Sequence, residues 1–338
     1  MEKNMLIQTV KDMLRVGLLA ADESHGSPEN PKTIEKRLEK AGIPLAEEWV
    51  DKWRLLVRDC PHLGEYVSGI ILEKSRLKPD AAIFAGHRIV PGVKTDGGTN
   101  AKIGPHEELL TVGLDDLPQR LAKYKAEGAR FTKWRTVTPI GSNVPTQEAI
   151  DANMDTIVKQ ALVTQAAGLV PICEPEVLID GDHTIEKSFD VTKKVLSTFF
   201  AKAKKAGVFF PGMILKTSMV IYGKQYAGKR SYRDVAQMTV KCLKETVPAE
   251  IGGVVFLSGG QEDLEATMHL NEMHKMGNLS WPLTFSYSRA IQDAPMKIWV
   301  GKDENVAKAQ EALIERAKGN ALAAKGKVPD GFTYKILT

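Results

Sequence analysis

The feature that most constrains the fold of this chain is a repeated alternation of short apolar segments with longer amphipathic, charged segments. The short segments are apolar or rich in β-branched residues, which is typical of buried strands, and the longer ones have helical periodicity. This alternation predicts an α/β fold with a parallel sheet. The candidate strands are residues 17–21, 69–72, 89–93, 130–135, 169–173, 212–215, 253–257 and 282–285.

Helices are predicted between most of these strands, and several of them end in glycine, the residue favoured at helix C-caps. They span residues 117–128, 147–168, 185–207, 232–247 and 261–277, with amphipathic segments at 2–15 and 304–324. Eight strands with interposed helices and no linker predict one (β/α)8 TIM barrel, so all 338 residues form a single domain. Its barrel spans about 17–300, its C-terminal helix about 303–324, and the remainder, 325–338, is a mobile tail. The alternative, an open doubly wound sheet, would have a GxGxxG turn after its first strand, and this chain has none.

Composition argues against several classes of protein. The 46 Lys and Arg residues nearly balance 42 Asp and Glu residues and are dispersed among them, so nucleic acid is not expected as a partner. No apolar run approaches the roughly 18 residues of a membrane span, and the N-terminus lacks the apolar core of a secretory signal. Three widely spaced cysteines suit reduced thiols, and the dispersed histidines suggest no metal site. We therefore expect a cytoplasmic protein.

Ionisable or hydroxyl residues recur where nearly every predicted strand ends. In a parallel barrel these ends converge on one face, where active sites of this fold lie. The residues are Asp22, Lys94, Lys133, Arg135, Glu174, Lys216, Ser258 and Ser286. Because alternate strand residues share a face, Lys133 with Arg135, and Glu174 with Glu176, should point into a common interior and form a charge network.

Lys216 directly follows an apolar strand, and two interpretations of it stay open. Desolvation and a nearby Lys133 would disfavour its charged form and produce an amine nucleophile. Alternatively, it is one member of a buried ion pair with Glu174. The sequence does not separate these interpretations.

A second signal is the glycine-rich turn at Ser258 and Gly259, which could bind phosphate through backbone N–H groups. In barrels of this type, phosphate often binds at the loops after strands seven and eight. Ser286 and Arg289 would add a hydroxyl and a guanidinium to the same anion. The alternative is that this turn only connects a strand to a helix.

Seven segments in this order together resemble class I fructose-1,6-bisphosphate aldolase. The resemblance spans about residues 17–324, nearly the whole chain. The segments are LLAADES, VKTDGGTN, FTKWR, VPICEPE with DGDH, MILK, FLSGGQ and TFSYSRA. The resemblance implies a lyase of glycolysis and gluconeogenesis that cleaves fructose 1,6-bisphosphate reversibly into dihydroxyacetone phosphate and glyceraldehyde 3-phosphate. It also implies no metal and no cofactor apart from the covalent lysine Schiff base.

Carried over position by position, the resemblance assigns roles to individual residues. Lys216 forms the Schiff base, Glu174 is the general acid and base, and Asp22 takes the C4 hydroxyl proton. Lys133 stabilises the intermediates, with Glu176 and Arg135 as network partners. The C1 phosphate would be bound by Ser258, Gly259, Ser286 and Arg289, and the C6 phosphate by Ser24, Ser27, Arg37 and Lys94.

The resemblance further implies a homo-oligomer, most commonly a tetramer. Animal relatives use a C-terminal tyrosine for the enamine proton step, and Tyr334 is the candidate substitute here. Ser288 stands where the family usually has glycine. A preference for fructose 1-phosphate or sedoheptulose bisphosphate, and a role as a scaffold protein, are the alternatives to the implied function.

Overall fold

The computed structural model describes residues 2–26 and 31–334, and eight parallel strands close into a barrel at its centre. The strands are β1 (Leu18–Ala21), β2 (Gly69–Leu72), β3 (Val90–Lys94), β4 (Ala101–Ile103), β5 (Glu108–Leu110), β6 (Phe131–Thr138), β7 (Val170–Val177), β8 (Ile214–Thr217), β9 (Gly253–Phe256) and β10 (Leu283–Tyr287). Around the barrel the strands run in the order β1, β10, β9, β8, β7, β6, β3 and β2, so the first and last strands pair. The predicted TIM barrel is confirmed.

Helices surround the barrel, and all the helical segments predicted from the sequence are present with boundaries shifted by a few residues. The pair β4 and β5 forms an antiparallel hairpin between β3 and β6 that the sequence pattern did not predict. The helices are α1 (Glu2–Met13), α2 (Thr33–Lys40), α3 (Glu47–Arg58), α4 (Leu63–Tyr66), α5 (Lys74–Gly86), α6 (Leu117–Ala126), α7 (Gln147–Ala166), α8 (Ile185–Ala206), α9 (Tyr232–Thr246), α10 (Asp263–Lys275), α11 (Arg289–Trp299) and α12 (Val306–Ala323), with 3-10 turns at Phe210–Gly212 and Asp303–Asn305.

Five barrel strands extend further than the apolar pattern indicates, because strand pairing continues past their apolar residues. β3 ends at Lys94, β6 at Thr138, β7 at Val177, β8 at Thr217 and β10 at Tyr287. Glu174, Glu176 and Lys216 therefore lie within strands rather than after them. Their side-chain directions are consequently determined by the pleat of the sheet.

The core has two apolar layers, one inside the barrel and one between barrel and helices. Alternate strand residues such as Phe131, Ile172 and Ile214 fill the interior, and Leu6 and Val10 of α1 pack against this inner group. Helix α1 thereby closes the amino-terminal end of the barrel. Residues on the opposite face of each strand, such as Trp134, pack against the helices. Burial of large apolar side chains contributes about 1.5–3 kcal/mol each.

Helix ends follow the local sequence signals. Thr184 caps α8 by accepting a hydrogen bond from the Lys187 N–H at 3.3 Å. The same helix ends at Gly207, whose φ of 80° is costly for residues with a side chain. The two signals explain why the predicted limits of α8 are close to the observed ones.

The C-terminal segment differs from the prediction of a mobile tail. Between residues 326 and 334, the Val328 N–H donates to the side chain of Asn271 at 3.0 Å, and Val328 and Tyr334 are buried. The Tyr334 hydroxyl is 2.6 Å from the hydroxyl of Thr267 on α10. The turn residues in this segment bring an apolar and an aromatic side chain back onto the helices, so the prediction was wrong for the described part of the tail.

Candidate active site

A cavity of about 740 Å³ opens at the carboxyl ends of the barrel strands. Most site residues predicted from the sequence line it, because successive parallel strands deliver their ends to the same face. These residues are Asp22, Ser24, Lys94, Lys133, Arg135, Glu174, Glu176, Lys216, Ser258, Gly259, Ser286 and Arg289. Ser27 lies outside the described residues, and Arg37 is described below.

Two lysines and two carboxylates form a compact buried group at the cavity floor. The Lys133 ammonium lies 2.6 Å from Asp22 Oδ2 and 3.2 Å from Glu174 Oε2. The other oxygen of Glu174 lies 3.2 Å from the Lys216 ammonium. All four side chains are less than a tenth exposed. Glu174 thus bridges the two lysines, and the geometry agrees with the ion-pair interpretation of Lys216, which also lines the cavity.

The charges of this group set the protonation of its carboxylates. Burial raises the pKa of Asp22, but the positive charges of Lys133, Lys216 and Lys94 outweigh burial and bring the pKa to about 2. The pKa of Glu174 is likewise lowered, because Lys133, Lys216 and Arg135 together outweigh desolvation. Desolvation opposes the charge of Lys133, yet Asp22 and Glu174 raise its pKa above the ordinary value. Lys133 is therefore a permanent cation between two carboxylates at neutral pH.

Arg135 and Glu176 form a second charged pair, two residues further along the same strands than Lys133 and Glu174. Arg135 donates through Nε to Glu176 Oε2, and this contact raises the pKa of Arg135 against the opposing effect of burial. Arg135 aligns with Glu174 in the β6–β7 register, which places both on one face of the sheet. The alternation predicted from the sequence accounts for this arrangement, with Lys133 and Arg135 inside and Trp134 outside.

The predicted C1-phosphate residues converge on one wall. The hydroxyl of Ser286 is buried and makes no hydrogen bond within the part of the chain that the structure describes. A side chain at Gly259 would come within 3.0 Å of the Glu176 carboxylate and 3.4 Å of the Arg289 guanidinium. Glycine at this position therefore keeps open the space between backbone and Arg289, as an anion site requires.

Arg37 does not line the cavity. Its guanidinium pairs with Glu23 and lies 2.7 Å from Asp293, and together these carboxylates raise its pKa although burial opposes this. Ser288 donates to Glu23 at 2.9 Å, so the hydroxyl that replaces the family's usual glycine ties β10 to the loop after β1. Arg37 therefore contacts the lining residue Glu23 but does not itself line the cavity.

Sequence reasoning missed several lining residues, the most notable of which is Lys74. β2 is followed by Glu73 and Lys74, so the pattern of ionisable residues at strand ends, which indicates Asp22 and Lys94, also indicates Lys74. Other lining residues missed include Glu23, Lys32, Thr33 and Ser288. Asp96 lies 3.5 Å from the Lys94 ammonium.

Tyr334 does not reach this cavity. Its ring packs against Gly319 of α12 and lies 3.9 Å beneath the Arg316 guanidinium, and its hydroxyl contacts Thr267 on the outside of the barrel. The hypothesis that Tyr334 replaces a catalytic tyrosine is therefore not supported by its position.

Across residues 2–26 and 31–334, no group of three or more His, Cys, Asp or Glu side chains could hold a metal ion. Within the same ranges, no helix is long and apolar enough to cross a membrane. The cavity contains an amine beside a carboxylate, a second carboxylate that can transfer protons, and cations that can bind anionic groups.

Comparison with known proteins agrees with this chemistry. A family model described as fructose-bisphosphate aldolase class-I matches residues 5–335. A probable fructose-bisphosphate aldolase class 1 of Xanthomonas campestris pv. campestris is 46% identical over 97% of this chain and 99% of that protein. Chloroplastic fructose-bisphosphate aldolase 1 of Arabidopsis thaliana is 39% identical over 95% of this chain and 81% of that protein.

A solved structure extends the agreement to three dimensions. The Plasmodium falciparum fructose-bisphosphate aldolase, in a complex with TRAP and a small-molecule inhibitor, superimposes with a TM-score of 0.93 at 39% identity. The match covers 98% of this chain and 96% of that one. Sequence, fold and cavity agree, and the chain belongs to the class I fructose-bisphosphate aldolase family.

Proposed function

We propose that this chain cleaves fructose 1,6-bisphosphate reversibly into dihydroxyacetone phosphate and glyceraldehyde 3-phosphate through a Schiff base on Lys216. The observation that carries the proposal is the buried contact of 3.2 Å between the Lys216 amine and Glu174 at the floor of a cation-lined cavity. An amine beside a proton-transferring carboxylate is the arrangement that imine formation needs.

The reaction begins at the ketose C2 carbonyl. Lys216 attacks as a neutral amine, after its proton passes to a base such as Glu174, and forms a carbinolamine. Glu174 then protonates the departing hydroxyl, water leaves, and a protonated iminium remains. Asp22 accepts the C4 hydroxyl proton as the C3–C4 bond breaks, the electron pair flows into the iminium, and the aldehyde is released. Protonation of the resulting enamine at C3 and hydrolysis then release dihydroxyacetone phosphate.

The remaining charged residues support these steps. We assign Lys133 to electrostatic stabilisation, because it contacts both carboxylates that exchange protons. Arg135 and Glu176 hold each other beside Glu174 and act as positioning residues. Lys133, Arg135 and Glu176 would thus contribute by placing a charge near the reacting atoms.

Two anion positions complete the proposed site. Ser258, Gly259, Ser286 and Arg289 would bind the C1 phosphate. This is supported by the Ser286 hydroxyl, which has no hydrogen-bond partner among the described residues, and by the open space at Gly259. Ser24, Ser27 and Lys94 would bind the C6 phosphate. Arg37 would support that end indirectly by orienting Glu23 and Ser288.

We also propose a single catalytic barrel domain, a cytoplasmic location and a homotetramer. All three cysteines are free and buried, which suits a reducing compartment. The tetramer rests on family membership, and light scattering of the purified protein gives its molecular mass directly.

Borohydride trapping tests the mechanism. Reduction in the presence of dihydroxyacetone phosphate should convert the iminium to a stable secondary amine, and peptide mass mapping should locate the adduct on Lys216. Lys216→Ala should abolish both adduct and cleavage, whereas Lys229→Ala, an exposed lysine elsewhere, should alter neither. An adduct confined to another lysine, or complete loss of activity with a chelator, would refute the proposed mechanism.

A further inference from the structure

Lys74 is a cation on the cavity wall to which the mechanism above assigns no role. It is the first residue of α5 and follows β2, which pairs with β1 on one side and β3 on the other. The segment after β1 carries Ser24, and β3 ends at Lys94. Lys74 therefore enters the cavity between the two segments proposed to bind the C6 phosphate.

None of the residues that the structure describes neutralises the charge of Lys74. Lys94, in contrast, lies 3.5 Å from Asp96, and Glu23 is already bound by Arg37. Within the ranges that the structure describes, the Lys74 side chain makes no hydrogen bond or ion pair. An ammonium group of this kind gains most from an anionic ligand, because no existing contact must be broken.

The neighbouring carboxylate of Glu73 does not compensate Lys74. Glu73 is buried, does not line the cavity, and caps α5 by accepting a hydrogen bond from the Ser75 N–H at 2.7 Å. It also lies close enough to Arg54 to interact with the charge of that guanidinium. Glu73 thus interacts with the start of α5 and with Arg54, whereas Lys74 lines the cavity.

The position of Lys74 along the rim of the barrel suits the end of the substrate that carries the C6 phosphate. Ser286 belongs to β10, and β1 lies between β10 and β2. Adjacent strands are about 4.8 Å apart, so β2 ends about 10 Å from β10 along the rim. This separation is compatible with two phosphates on opposite ends of an open-chain six-carbon sugar.

We propose that Lys74 binds the C6 phosphate and makes the enzyme select ketose bisphosphates over ketoses phosphorylated only at C1. The inference rests on the proposed function, because it takes the C1 phosphate to lie at Ser286 and Arg289. An exposed lysine adds attraction to a dianion without the desolvation cost of a buried charge. Its contribution should therefore appear only with substrates that carry the second phosphate.

The test compares two substrates in matched variants. Lys74→Met keeps most of the side-chain stem and removes the charge. It should lower kcat/KM for fructose 1,6-bisphosphate about tenfold, mainly through KM, and leave kcat/KM for fructose 1-phosphate unchanged. Lys74→Arg should retain most of the selectivity. Lys78→Met, an exposed lysine on the same helix outside the cavity lining, should behave as wild type with both sugars.

Two outcomes would overturn the inference: no change with either sugar, or an equal loss with both. Trapping of dihydroxyacetone phosphate on Lys216 by borohydride, measured in the same preparations, separates this failure from failure of the mechanism. A normal adduct with unaltered selectivity would refute only the role of Lys74. Absence of the adduct from the wild type would refute the proposed function itself.

Discussion

Lys133 is the residue on which the electrostatics of the cavity floor depend. It contacts Asp22 and Glu174 at once, and both carboxylates have lowered pKa values although burial opposes this. Removing one member of such a buried group leaves an uncompensated charge, which is more costly than the net stabilisation from the intact pair. The same contacts that would organise the proposed proton transfer therefore also affect folding stability.

Asp22 yields a prediction about acid stability. Its pKa is about 2 in the folded chain against an ordinary value of 3.8, so its ionisation favours the folded state. This stabilisation is fully present above pH 3.8 and is lost as the pH falls through 2. In urea unfolding, the stability advantage of wild type over Asp22→Asn should shrink by about 1 kcal/mol between about pH 5 and pH 3.

The matched control is Asp115→Asn, because Asp115 is exposed and makes no ion pair in the described ranges. Its stability relative to wild type should stay nearly constant over the same pH interval. A constant difference for Asp22→Asn as well would show that the Lys133 contact does not lower the pKa of Asp22 in solution.

The C-terminal segment shows how an element can be held by a few specific contacts. Tyr334 packs under Arg316 and hydrogen-bonds Thr267, which itself donates to the side chain of Asn320. These contacts join the segment to both α10 and α12. We expect Tyr334→Phe to lower the free energy of unfolding by about 1 kcal/mol, because the ring contacts remain while a buried hydrogen bond is lost.

The same variant tests the catalytic hypothesis for Tyr334. Proton exchange at the enamine carbon should be unchanged, since the hydroxyl lies outside the cavity. Tyr232→Phe is the control, because Tyr232 is exposed and its hydroxyl makes no hydrogen bond among the described residues. Slower exchange in Tyr334→Phe at unchanged stability would contradict the observed position of the ring.

Closure of the barrel gives the whole molecule its cooperativity. Leu18 of β1 pairs with Ser286 of β10, so the first strand is held by the last. No part of such a ladder can leave without exposing backbone hydrogen-bonding groups of its neighbours. We predict that urea unfolding followed by tryptophan fluorescence and by far-UV circular dichroism will give coincident transitions. Two separated transitions would indicate independent domains and contradict the single-domain proposal.

Much of the fold and site follows from patterns that are local in sequence. The eight barrel strands were predicted from apolar runs, and the inward direction of Lys133 and Arg135 from period two alone. The hairpin β4–β5 was missed, because three-residue strands with exposed positions leave little apolar pattern. The packing of the tail is not visible in the local pattern, because its partners are remote in sequence: Thr267 lies 67 positions before Tyr334.

The sequence by itself determined the order of strands and helices, the face on which charged strand residues emerge, and the family, because periodicity and motifs are properties of neighbouring residues. Only the tertiary structure decided which charges meet. Arg37 turns to Glu23 and Asp293 rather than into the cavity, and Glu174 bridges two lysines. Lys74 lies on the wall without an ion pair to any described residue. Such pairings depend on distances between segments remote in sequence, which are fixed only when the barrel closes.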